Sequence, residues 1–491
     1  MKRYIPLILG LLAAVLSSNA ARAEIRVTPT PDGEPASEYW SVEVDGKSSF
    51  VYAARTADPP FEKYDYGGEY AFTSIDADEP VTVTIRELSG AKIDALTVRP
   101  LSAQIEPVKN DDGSYTLTID QPRQISVEYN GRVHPLLIFV NPPEENVPNA
   151  EDPNVIYYPR GVHRPKGGAI NLSDNQTLYL APGAVVHCGI NVHGENVTIR
   201  GRGIIDSSDW EWRQGPTGHV VSINASKNVR LEGVTIRGAS HWTVVPVNSD
   251  DVSIDNIKLC GGRVQNDDGI NPCNSRRVTV KNAFIRTDDD CMALKGLDFK
   301  YGNCEDIYVE NCVFWCDRAR IVLMGHESRA EYMRRVTFKD IDVIHAQTRN
   351  FLLEPGERMK MEDALFENIR FETGVENALS PEALEKMKDL DVSKLRFDID
   401  VANRDNWLFV ARPTVNRYMQ VQEPGHIANV TIRNITVEGL PSFCGMLFSG
   451  ADETHRFKGL SIENVTVFGQ KLDAASPLVR IGDFIDDVSI K

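Results

Sequence analysis

The sequence predicts an all-β protein, an N-terminal β-sandwich followed by a right-handed parallel β-helix. Three observations carry this. First, the early segments "EYWSVEVDG", "PVTVTIRELSG", "SYTLTID" and "QISVEYNG" alternate apolar with polar residues and end at Gly or Asp, as antiparallel sandwich strands do. Second, a nine-residue phrase returns along the rest of the chain: "NVTIRGRGI" from Asn196, "NVRLEGVTI" from Asn228, "DVSIDNIKL" from Asp251, "RVTVKNAFI" from Arg277, "DIYVENCVF" from Asp306, "RVTFKDIDV" from Arg335, "DALFENIRF" from Asp363, "NVTIRNITV" from Asn429 and "GLSIENVTV" from Gly459. Third, helical periodicity is absent across these repeats.

Taken in order, the chain opens with Lys2 and Arg3, an apolar run and the small-residue ending Ala21-Arg22-Ala23. This is the pattern of a cleaved secretory leader over 1–23. The apolar run is too short for a transmembrane helix, and no later segment resembles a span. The mature protein is therefore expected to be exported, periplasmic or secreted. Residues 24–145 form the expected sandwich. The stretch "NPPEENVPNAEDPN" (141–154) reads as a linker because Pro, Asn and acids punctuate it. Residues 146–491 form the expected solenoid.

The repeat starts are 32, 23, 26, 29, 29, 28, 66 and 30 residues apart, which means stacked units. Each unit offers two short β-branched strands and a polar corner. Leucine-rich repeats would show spaced leucines, and propeller blades need four strands in a longer period. The count predicts roughly ten coils. The gap of 66 contains "SPEALEKMKDL" from Ser380, where Ser as N-cap and Pro at the first position predict a short helix. Residues 373–428 are accordingly expected to be an insertion, with room for one irregular coil.

The formal net charge of −17 argues against nucleic acid or an anionic membrane as the main partner. All eight cysteines follow residue 187. Their spacing matches no compact disulfide framework or zinc motif, so they are expected to be single buried thiols.

Two acidic clusters stand out in "QNDDGINPCNSRRVTVKNAFIRTDDDC" (265–291): Asp267–Asp268 and Asp288–Asp289–Asp290. The strand phrases flanking them place the clusters in neighbouring coils, one strand spacing of about 4.8 Å apart. Paired carboxylates suit glycoside hydrolysis, where one donates a proton and another activates water. Calcium binding and turn chemistry are the competing readings.

Several phrases then resemble the polygalacturonase/dextranase clan, glycoside hydrolase families 28 and 49. "GRGIIDSSDWEW" (201–212) is similar to the clan's G-x-G-x-I-D-G followed by Trp. "GASHWTVVPVNSDDVSI" (238–254) is similar to its S-P-x-W-x-x-x-P phrase. "NDDG" (266–269) and "DDC" (289–291) stand where N-T-D-G and D-D-C are expected. The resemblance implies Asp268, Asp289 and Asp290 as catalytic acids, with Asp289 as general acid and the other two holding the water. It implies inversion, no metal and no cofactor. Family 28's G-H-G motif is replaced by Arg318, Ala319 and Arg320, and its R-I-K motif by "FLL" (351–353). Family 49 lacks both, carries a sandwich before its β-helix, and has a D-D-x-x-x-K pattern similar to "DDDCMALKG", with Lys295 as the Lys. The resemblance thus leans to family 49 and a neutral, dextran-like α-glucan. A pectic or other galactan chain, and a calcium-dependent lyase, are the alternatives.

The residues expected to touch the sugar are Asn266, Asp267, Lys295, Arg318, Arg320 and His326. Trp210, Trp212, Trp242 and Trp315 are candidate stacking platforms, with Trp315 nearest the acids in sequence. The partner is a polysaccharide or oligosaccharide, and the oligomeric state is open.

Overall fold

A computed structural model of the protein describes residues 25–56, 68–129, 131–346, 349–374, 407–440, 442 and 444–491. The leader-like segment 1–23 and the helix expected from Ser380 lie outside the described residues.

Two sheets form the N-terminal part. One contains Arg26–Val27, Tyr52–Thr56, Gly68–Asp76, Thr97–Arg99, Arg123–Glu128 and Leu136–Asn141. The other contains Trp40–Val44, Lys47–Ser49, Val81–Glu87, Val108–Lys109 and Tyr115–Ile119. Strict alternation in Trp40–Val44, buried at every second residue, marks a strand with one face on a core and one in water. Leu136–Asn141 is buried at every position, so its sheet is covered on both faces. One face joins Val42, Val83 and Leu117 in the sandwich core. The other presents Tyr52, Tyr70, Phe72 and Phe139 to Val185, Cys260, Phe284, Trp315 and Ile344 of the solenoid.

The solenoid comes next. Strands beginning at 155, 177, 195, 227, 250, 276, 304, 332, 360, 426, 457 and 485 lie parallel, one above another. The parallel β-helix predicted from the repeat is present, with two coils more than the repeat count suggested. These are the degenerate turns at its ends. The gap of 66 adds no extra coil. Lys360–Thr373 pairs directly with His426–Gly439, and Trp407–Ala411 supplies that coil's return strand between Phe351–Glu354 and Gly445–Phe448.

The repeat phrase has a physical meaning. All nine starting residues sit at positive φ, between 51° and 76°. Asn and Asp enter this left-handed region readily, and they occupy most of the corners. Asparagine side chains stack at such left-handed corners, Asn228 on Asn196 at the phrase start, and Asn311 on Asn282 and Asn464 on Asn434 at a second corner within the phrase. Arg277 and Arg335 are the costly exceptions, at about 1–2 kcal/mol each. Their ion pairs with Asp251 and Asp306 one coil below are surface pairs worth about 0–1 kcal/mol. The interior decides. Each phrase buries two aliphatic or aromatic side chains, as Val278 and Val280 or Val336 and Phe338, at about 1.5–3 kcal/mol each. Core stacking therefore fixes the register and the corner complies.

All eight cysteines are buried free thiols, as expected. The seam between the two parts is polar as well as apolar. Arg286 is fully buried between the rings of Tyr70 and Trp315, 4.2 and 4.0 Å from their centroids, and pairs with Asp317. Trp315 Nε1 also donates to Asp317 at 2.8 Å.

Candidate active site

Asp288, Asp289 and Asp290 lie between strands Phe284–Thr287 and Met292–Leu297, and Asp267 and Asp268 lie one coil earlier, after Lys258–Cys260. Val244, Ile270, Met292 and Val322 pair in successive coils. Counting two residues back along each gives the column Trp242, Asp268, Asp290 and Arg320. Gly269 N donates to Asp290 O at 2.8 Å, and Cys291 N to Arg320 O at 3.0 Å. Asp268 thus faces Asp290 across one rung. The clusters lie in neighbouring coils, as the strand phrases predict, and the turn lengths decide that Asp290 is the acid opposite Asp268. Gly269 permits this approach: a Cβ there would lie 2.4 Å from Cys291 O.

Five carboxylates coexist because each has its own counter-group. Asp267 accepts from the backbone N–H groups of Gly262, Asp288 and Asp289 at 2.5, 2.7 and 3.2 Å. Asp268 accepts from Asn271 Nδ2 at 2.9 Å. Asp288 pairs with Arg318 at 2.7 Å and Asp290 with Arg320 at 2.8 Å. Asp289 lies between these clamped neighbours. Its Oδ2 takes Asn266 Nδ2 at 3.2 Å and Arg318 Nη2 at 3.4 Å. Its side chain is 14% exposed, against 1% for Asp288 and 2% for Asp290. Asp289 is therefore the acid of this triplet that meets solvent.

Burial raises the protonation range of the cluster. Asp268 is held well above the usual carboxylate range by burial and then by the Asp289 charge, with Lys295 opposing. Burial also raises Asp290, against the pull of Arg320. Asp288 is pushed up to about 6 by burial despite Arg318. Lys295 remains a cation. Burial would lower it, but Glu327, Asp268 and Asp290 override that. Its Nζ donates to Glu327 at 2.9 Å and sits 4.8 Å over the Trp242 ring. A cation shared among these acids is the arrangement that lets one carboxyl keep a proton while its neighbours ionise.

Three expected sugar contacts need correction. Asp267 is fully buried and backbone amides occupy its oxygens, so it shapes the turn and cannot meet a sugar. Trp315 is also fully buried. It points outward from the solenoid, but the sandwich covers that face. Lys295 is buried as well, with 5% of its side chain exposed, and it faces the acids and Glu327 rather than solvent. Arg318 and Arg320 are each 25% exposed. His326 bonds Glu354 at 2.9 Å and stacks on Tyr418. Trp210 and Trp242 are partly buried, and Trp212 is exposed.

The structure also brings in residues the sequence reading missed. Val322 pairs with Phe351, so Arg349 stands one rung above Arg320. Leu353 pairs with Ala411, which sets Arg412 beside Glu354. Arg349 lies 3.6 Å from Glu354, and the charges of Arg320 and Glu354 both act on it. Three guanidiniums therefore gather around Glu354 and Asp290. On the other side of the acids, His219 and His241 lie with Nδ1 atoms 3.3 Å apart, and both stack near Trp242. Burial and His241 push His219 down to about 4, so it is a neutral imidazole at ordinary pH. No motif signalled these histidines. Arg349 could have been found two residues before "FLL".

Known proteins share this architecture. A family model described as Glycosyl hydrolases family 28 matches residues 186–314, the stretch that holds the acids. Probable exopolygalacturonase B of Aspergillus terreus (strain NIH 2624 / FGSC A1156) is 28% identical over 152 residues, 27% of this chain and 33% of that protein. Probable exopolygalacturonase B of Emericella nidulans is 28% identical over 185 residues, 33% of this chain and 38% of that protein. The chain thus matches about a third of the length of these curated relatives. Dex49A from Penicillium minioluteum shares the fold, with a TM-score of 0.62 at 16% identity over 94% of this chain and 96% of that one. The stretch around the acids is thus similar to glycoside hydrolases of family 28, and the fold along almost the whole length is that of Dex49A.

Proposed function

We propose that the protein is an inverting glycoside hydrolase that cleaves α-glycosidic bonds in a polysaccharide or its oligosaccharides, laid along the solenoid groove. The observation that carries this is the rung pairing of Asp268 with Asp290 beside the solvent-facing Asp289. In this reading Asp289 protonates the leaving oxygen. Asp268 and Asp290 hold a water on the other face of the sugar and take its proton. Lys295 and Arg320 keep that pair able to ionise.

The arginine cluster supports an acidic sugar beside the scissile bond, since guanidinium forks match carboxylates. The relatives' printed name, exopolygalacturonase, agrees with this, so a galacturonate-containing chain leads. A neutral α-glucan remains the second reading, favoured by the likeness to Dex49A across both parts of the chain. The leader-like residues 1–23 support export.

The test is a panel of polygalacturonate, dextran and pullulan scored by released reducing ends, with the Asp289→Asn protein as control. Release by the wild type alone supports the reading. An unsaturated, ultraviolet-absorbing product, or no release from any glycan, overturns it. NMR of the first-formed anomer checks inversion.

A further inference from the structure

The loop between Ile204–Asp206 and Val221–Asn224 borders the acids. It carries two tryptophans in opposite settings. Trp210 turns inward, and a Cβ on Gly168 would lie 2.9 Å from its Cζ2. Trp212 is 46% exposed, the only tryptophan among the described residues with a large open surface. A single exposed apolar side chain needs no explanation by itself. Trp212, however, is coupled to the acids through Arg213.

The Arg213 guanidinium carbon lies 4.8 Å from the Trp212 ring centroid. The Arg213 backbone is left-handed, at φ 59°, a costly state for a long side chain. A hydrogen bond from Arg213 N to Ser240 O at 2.7 Å holds it there. Its Nη2 donates to Asn266 Oδ1 at 2.9 Å. Asn266 is left-handed too, at φ 60°, and its Nδ2 donates to Asp289 Oδ2 at 3.2 Å. Two hydrogen-bonded side chains in series thus join an exposed indole to the solvent-facing acid.

We propose that Trp212 is the stacking platform of a sugar subsite next to Asp289, and that Arg213 is a positioning residue that ties Asp289, through Asn266, to that subsite. The ligand is a pyranose unit of the glycan, its apolar C–H face on the indole. This rests on the hydrolase reading and adds where a neighbouring sugar binds and how its binding reaches the acid.

The experiment has a binding arm and a kinetic arm. In the first, the inactive Asp289→Asn protein is titrated calorimetrically with oligosaccharides of polygalacturonate, dextran and pullulan, with and without Trp212→Ala. Affinity for the preferred oligosaccharide should fall about tenfold in the double variant and largely return with Trp212→Phe. In the second, Trp212→Ala should raise KM with little change in kcat. Arg213→Ala should lower kcat with little change in KM, because Asn266 loses the guanidinium that holds it against Asp289. Arg213→Lys should restore part of the lost kcat. Unchanged affinity and KM in Trp212→Ala, or an unchanged kcat in Arg213→Ala, overturns the proposal while hydrolysis by the wild type stands. Trp212-dependent binding without hydrolysis by the wild type overturns the hydrolase reading and keeps the subsite. A wild type that neither binds nor cleaves any of the three glycans overturns both.

Discussion

Asp268 and Asp290 occupy the same place on successive coils, joined by the 2.8 Å hydrogen bond from Gly269 N to Asp290 O. Asp289 is the odd member, next in sequence to Asp290 but turned to solvent. Replacing Asp289 by Asn keeps its shape and its contact with Asn266 but removes the transferable proton. Turnover should fall by about 10²–10⁴-fold with an unchanged melting temperature. Retained turnover would remove Asp289 from the role of acid.

Lys295 lowers both Asp268 and Asp290. In Lys295→Met both carboxyls rise further, so the base must ionise at higher pH. The acid limb of kcat should move upward, with the rate at pH 5 falling more than the rate at pH 7. A parallel loss at every pH would instead mean that Lys295 acts only through packing on Trp242.

Arg349 and Arg412 flank Glu354 near the acids. If they meet an acidic sugar, Arg349→Ala should raise KM on oligogalacturonates about tenfold or more, since a lost charge-assisted bond is worth about 1.5–3 kcal/mol. KM on neutral oligosaccharides should barely move. Equal effects on both substrate classes would contradict an acidic-sugar site.

Trp315 fills the seam between sandwich and solenoid and is fully buried there. Trp315→Ala should therefore cost about 3–5 kcal/mol of stability, read by thermal or urea unfolding. A variant of normal stability with raised KM would restore Trp315 as a sugar platform.

Glu372 lies in the same seam, sharing Arg99 with Glu128. Burial raises it to about 7, with Arg99 opposing. A carboxyl raised on folding favours the protonated folded state, so its contribution to stability is lost as pH climbs from the ordinary Glu range toward 7. Glu372→Gln should flatten that part of the curve of melting temperature against pH. An identical slope in wild type and variant would show that Glu372 stays ionised in the fold.

The coils were legible because each repeats the same local physics: a left-handed Asn or Asp corner, then two interior residues. The acids were legible because five carboxylates in adjacent coils are hard to place otherwise. Trp315 was misread because sequence shows that a residue faces outward but not what covers it. That depends on Tyr70 and Phe139, more than 170 residues earlier. Arg412 was missed because a long insertion separates it from its rung neighbour. Which acid of the triplet faces Asp268 stayed open in the sequence, because turn lengths, unlike strand phrases, do not repeat.

The left-handed corners have an evolutionary consequence. Because each coil carries its own corner and its own pair of interior residues, the groove can grow or shrink by whole turns. Duplicating one turn would add about 4.8 Å of binding surface without disturbing the acids. A single-residue insertion inside a phrase would reverse the facing of every residue after it in that strand. The number of sugars such a groove can grip is thus a counted property that lineages can change in discrete steps, while the chemistry at its middle stays fixed.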